Sequence, residues 1–171
     1  MLIFALKTLK NHNLPSMDSK KFKYQQRLDK FPDCPSQAYK PVQMNAFRWI
    51  DANDPINSFT PMHLIKTPPP RMLDDFDLMC KGHGLSLFDT LEHGIARYKK
   101  LYKNKRGVSH QTFIEEKGDA VATLKLDAED GVAGDLNLEN GHFTFHEYEE
   151  TDLSNQIVHI TTLFDKNGNF K

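Results

Sequence analysis

The side chains best suited to hold a metal or move a proton are eight histidines and two cysteines. His142 and His146 stand four apart, but their segment HFTFHEY alternates with period two. Along a strand that spacing spans roughly 13 Å, too far for one zinc ion held at about 2 Å. Cys80-x-x-His83 has ligand-like spacing but lacks a second pair. No metal is therefore expected. Gly82-His83-Gly84-Leu85 precedes a strand, whereas a phosphate loop follows one and opens a helix. No serine elbow or Cys–His nucleophile pair stands in a supporting order.

Carboxylates offer more. In the strand expected at His142–Tyr148, Phe143, Phe145, Glu147 and Glu149 share one side. If the phenylalanines face the core, both glutamates lie at the core-side rim, where a carboxylate can line a cleft and carry a raised pKa. His142, Thr144, His146 and Tyr148 form an opposite, exposed row suited to docking.

Arg48 in AFRWI, Ser86 in GLSLF and Glu147-Tyr148-Glu149 follow one another along the chain. The string Gly82-x-Gly84-Leu85-Ser86-Leu87-Phe88-Asp89-Thr90, followed by Ala96 and Tyr98, resembles a segment of the ADP-ribosyltransferase superfamily. There a G-x-G-x-[YL]-x-[ST] strand leads into a helix. The Arg–Ser–Glu branch places Arg, Ser and Glu on early, middle and late strands. The resemblance covers residues 44–150. It implies NAD as co-substrate and transfer of ADP-ribose to an acceptor. Arg48 would contact the pyrophosphate as a bidentate donor, and Ser86 would brace the site. Glu149 would hold the nicotinamide ribose and stabilise oxocarbenium-like charge, while Glu147 would orient the acceptor. Gly84 and Tyr98 would lie on the cofactor side.

The elements that must position these residues are partly legible. Phe88, Leu91, Ile95, Tyr98 and Tyr102 recur at spacings of three and four, the stripe of an amphipathic helix. Asp89 as N-cap with Glu92 forms a capping box, basic residues fill the far end, and Gly107 stops the helix. Met44–Ile50 reads as a strand, with Ala46, Arg48 and Ile50 on one face and Phe47 and Trp49 on the other. A short extended run is expected within 58–66, a rigid link at Pro68–Pro70, a short helix within 71–81, and a strand at Leu85–Phe88. Later strands are expected at Thr112–Glu116, Ala120–Asp127, Asp135–Leu138, His142–Tyr148 and Gln156–Phe164, with a hairpin turn at Asn140-Gly141. The predicted fold is α+β. A single domain over 44–171 would hold a twisted, mostly antiparallel sheet against one long helix. A loose basic arm over 1–43 would precede it, with a short helix near Lys20–Lys30.

Composition sets the outer limits. The chain has 171 residues, 39% of them apolar, and a mean hydropathy of -0.59, as a soluble single domain would. No apolar run approaches the roughly 18 residues that span a bilayer. The N-terminal patch lacks the pattern of a secretory signal, and Met17 is a candidate for the true start codon. Cys34 and Cys80 make no disulfide framework, and two free thiols would suit a reducing compartment. The expected location is the cytoplasm.

The net charge of -1 conceals polarity. Residues 1–50 hold nine Lys/Arg against three Asp/Glu, and residues 107–171 hold four against thirteen. The basic run Arg97–Arg106 could touch phosphates, but a pI near 6.7 argues against a dedicated nucleic-acid binder. Two functions are therefore expected to compete. One is ADP-ribose transfer. The other is a non-catalytic interaction or regulatory module that holds a protein partner through its charge-polarised surface.

Overall fold

Residues 20–171 are described by the computed structural model. The suggested start at Met17 and the first part of the expected arm lie outside them. Six strands form one antiparallel sheet: β1 (Met44–Ile50), β2 (Leu85–Phe88), β3 (Ala120–Leu126), β4 (Gly131–Ala133), β5 (His142–Glu147) and β6 (Ile157–Thr162). Their spatial order is β4-β5-β2-β1-β3-β6. Five helices accompany them: α1 (Gln25–Leu28), α2 (Met62–Ile65), α3 (Phe76–Lys81), α4 (Leu91–Lys103) and α5 (His110–Lys117). The described residues form one domain of the expected α+β class, though 20–43 pack against it rather than forming the loose arm expected there.

Alternation puts apolar side chains on both faces of the sheet. Ala46 and Ile50 of β1 join Leu85, Leu87, Leu124, Leu126, Phe143 and Phe145 in one core, closed over by Phe59 and Leu153. Phe47 and Trp49 turn the other way, towards Tyr98 of α4, Phe113 of α5, Val121 and Leu163. The sheet is thus a middle layer, and the two-sided pattern of β1 follows from it.

The ladders are unequal. β1 and β3 pair over seven residues, Met44↔Leu126 to Ile50↔Ala120. β2 and β5 pair over four. Between these halves, β1 and β2 register at Phe47↔Phe88 alone. The sheet is therefore split at its centre beyond that point.

Several expected elements take other forms. Thr112–Glu116 is helical within α5, because the Ser109 hydroxyl accepts the Thr112 N–H at 3.0 Å and nucleates a turn. Asp135–Leu138 is not a strand. Gly131–Ala133 pairs with β5 instead, and a Cβ on Gly131 would stand 2.2 Å from the His146 carbonyl. Residues 58–66 are not extended but hold a 3₁₀ turn (Asn57–Phe59) and then α2. The cap of α4 is Thr90 rather than Asp89. The Asp89 N–H still bonds Gly141 across the sheet, so the first free hydroxyl receives the His93 N–H at 3.1 Å.

Residues 20–43 lie along the domain. Phe22 bridges to Tyr148 and Lys40 to Ala133. Leu28 is buried, and Phe31 packs on Phe76 and His83. Cys34 and Cys80 are joined in a disulfide across 46 residues. This corrects the expectation of two free thiols and removes the ground on which a reducing compartment was inferred. Single thiols far apart in sequence give no sign of pairing until α3 brings Cys80 beside the segment. No helix among the described residues is long and apolar enough to cross a membrane.

Candidate functional site

The split between β1 and β2 opens a groove of about 660 Å³, within the range of roughly 300–1,000 Å³ usual for small-molecule sites. Arg48 reaches into the gap from β1. Its Nε donates to the Ser58 carbonyl at 2.8 Å and its Nη1 to the Ser86 carbonyl at 2.9 Å. A carbonyl denied a ladder partner by the split thus receives a charged donor instead. The guanidinium lies 5.7 Å from the centre of the Phe59 ring. Burial lowers its pKa to about 10, which leaves it cationic at neutral pH.

β2 supplies Ser86 to the same groove. The register Ser86↔Thr144 makes His142 its diagonal neighbour on β5, and Ser86 Oγ lies 2.5 Å from His142 Nε2. His142 is half-buried, with its ring edge-on to Phe88. Burial first, then the charges of Arg97 and Lys81, hold its pKa below the ordinary value, so the neutral imidazole dominates near pH 7. Trp49 lines the groove too, anchored by its Nε1 donating to the Gly94 carbonyl at 3.0 Å. Met62, Ile65 and Leu78 give the mouth an exposed apolar wall.

The residues singled out from the sequence divide. Arg48, Ser86 and Gly84 meet at this groove. Gly84 is there for close packing, since a Cβ would come within 2.6 Å of Thr144. Tyr98 does not reach the groove. It is fully buried behind Trp49, and its hydroxyl donates to the Gly118 carbonyl at 2.6 Å. A helix-face tyrosine is core here, as its place on the apolar stripe implies.

The two glutamates part company. Glu147 is not at a rim but buried at 3% exposure beneath the first core. Its Oε1 lies 2.9 Å from Lys23 Nζ, close enough for an ion pair, but neither carboxylate oxygen has hydrogen-bond geometry to a partner among the described residues. Burial raises its pKa, against the opposing pull of Lys23 and Arg48. Glu149 lies past the end of β5, where its N–H donates to the Lys21 carbonyl at 2.8 Å. It lines a second groove of about 700 Å³ with Glu129, Tyr148 and Asp152, and none of that groove's residues also lines the split. The row His142, Thr144, His146, Tyr148 is not an exposed face either. Thr144 and His146 are buried, and Phe22 and Tyr39 pack on His146. Burial, with His83 nearby, lowers the His146 pKa to about 4.

His142 is the groove residue that the sequence placed on the wrong kind of surface. Alternation gave its side of the strand correctly, but only the pairing of β5 with β2 reveals Ser86 beside it. Among the described residues, no three His, Cys, Asp or Glu side chains converge as metal ligands would. No family model, no curated protein and no solved structure matches this chain.

Proposed function

We propose that the groove at the sheet split binds a dinucleotide of the NAD type and supports transfer of its ADP-ribose. The observation that carries this reading is that Arg48 and Ser86, 38 residues apart, line one groove, with Arg48 Nη1 donating to the Ser86 main-chain carbonyl at 2.9 Å. A guanidinium has five N–H donors. The two spent on the Ser58 and Ser86 carbonyls fix its plane, and the rest remain for a diphosphate. Trp49 adds an aromatic wall for a base or nicotinamide ring. In this reading the β5 contribution is His142, and Glu147 and Glu149 take no direct part.

Titration calorimetry with NAD tests the reading. Wild-type protein should bind. Arg48→Lys should weaken binding by about tenfold or more, because an ammonium cannot hold two carbonyls and a diphosphate at fixed angles. Glu149→Gln should bind as wild type does. Absence of NAD binding by the wild type would sink the proposal. A non-catalytic module that docks a protein partner is the second reading. The exposed Met62, Ile65 and Leu78 around the same groove mouth favour it.

A further inference from the structure

We propose that water is the acceptor at this groove, and that Ser86 and His142 form the relay that takes its proton. The inference rests on the NAD reading above and assigns that site its second substrate. Ser86 is exposed to the groove, while His142 stands half-buried behind it with Nε2 2.5 Å from Ser86 Oγ. A hydroxyl in front of a neutral imidazole can pass a proton inward. A cation behind it could not.

The surroundings favour a small nucleophile. Glu147 lies under the core and Glu149 in the other groove, and the carboxylates that do line this one, Asp51, Asp54, Glu115 and Glu116, are exposed and already accept from Asn53, Asn57, Gln111 and Lys66. What remains on the floor is a hydroxyl–imidazole pair between strands, reached through a mouth that the dinucleotide itself would occupy. Water can reach the floor beside a bound ligand, whereas a protein side chain would have to displace part of it.

The step balances as follows. The water oxygen bonds to the anomeric carbon of the nicotinamide ribose. The carbon–nitrogen glycosidic bond breaks, and its electron pair neutralises the nicotinamide nitrogen. One water proton passes to Ser86 Oγ while the Ser86 proton passes to His142 Nε2. The products are nicotinamide, ADP-ribose and an imidazolium that releases its proton to solvent. Charged groups around His142 are Arg97 of α4, Lys81 of α3, Arg48 across Ser86, and the Asp89–His93 pair packed against Gly141. Burial first, then Arg97 and Lys81, keeps the imidazole neutral, and the Asp89 carboxylate is already engaged by His93 at 2.6 Å.

Incubation of the full chain with NAD from pH 5 to 8 tests this. Chromatography would quantify nicotinamide and free ADP-ribose, and mass spectrometry would detect ADP-ribosylated protein. Free ADP-ribose should equal nicotinamide. The rate should be flat near neutrality and fall about tenfold per unit below the imidazole pKa. His142→Asn should keep NAD affinity within about threefold, lose on the order of 100-fold in rate, and lose the acid limb of the profile. Ser86→Ala should lose as much, and the double variant no more. Release of nicotinamide with all ADP-ribose bound to protein would overturn water as acceptor while the NAD groove stands. An unchanged pH profile in His142→Asn would overturn the relay. Failure of the wild type to bind NAD would overturn both this inference and the reading beneath it.

Discussion

The groove at the sheet split and the groove at the end of β5 are nearly equal in size, about 660 and 700 Å³. They differ in how their charges are held. Arg48 and His142 are partly buried, hydrogen-bonded and fixed by strands on either side of the split. Of the second groove, Glu149 and Glu150 are exposed side chains on a turn, Glu129 is exposed and pairs with Lys20, and Asp152 is exposed although it accepts from Ser154. Fixed polar groups shielded from solvent are worth more to a ligand than mobile hydrated ones, because water screens the latter and ordering them costs entropy. Volume therefore does not separate the two grooves, and preorganisation does.

The segment 20–43 lines the second groove with Lys20 and Lys21 and is stapled to α3 beside the split, so cutting its anchor is the strongest way to break the contrast. Cys34 ties it to Cys80, at the end of the helix whose Leu78 and Lys81 wall the split. A closed loop of 46 residues implies that Cys34→Ser should cost about 4 kcal/mol in urea unfolding. Hydrogen exchange should rise in α3 more than in β3. If α3 keeps its protection, the staple does not support the split groove.

A smaller loss is expected at Arg48. Arg48→Ala leaves the Ser58 and Ser86 carbonyls without their donor, and unfolding should become easier by about 1–3 kcal/mol. Glu149→Gln should stay within about 0.5 kcal/mol, as exposed substitutions usually do. Equal losses in the two variants would erase the difference between the grooves.

The subtlest test compares the two glutamates by pH. Burial raises the folded-state pKa of Glu147 above its ordinary 4.5. Ionised Glu147 therefore costs stability above the folded pKa, and that cost fades as pH falls through it towards 4.5. Relative to Glu147→Gln, the wild type should gain urea resistance on acidification from pH 7 towards 5. Parallel stability curves would mean that Lys23 fully offsets the burial of the carboxylate.

Much of the fold was legible because its signals are local. The strand Met44–Ile50, the helix from Leu91 and the strand from His142 each carry a period or cap within a few residues. Thr112–Glu116 was misread because its cap, Ser109, lies outside the apparent alternation. Of the residues singled out, Arg48 and Ser86, which the resemblance brought forward, line one groove, while His142 was assigned to an exposed row and Glu149 lines the other groove.

The amino-acid sequence by itself determined the α+β class, the two-faced pattern of β1 and the amphipathic helix, since periodicity and caps act over one or two turns. Only the tertiary structure decided which polar groups meet. The contacts Arg48–Ser86, Ser86–His142 and Cys34–Cys80 span 38, 56 and 46 residues. Each depends on sheet register or on the docking of a separate segment. A one-residue slip of β5 against β2 would turn His142 to the opposite face and leave Ser86 without it.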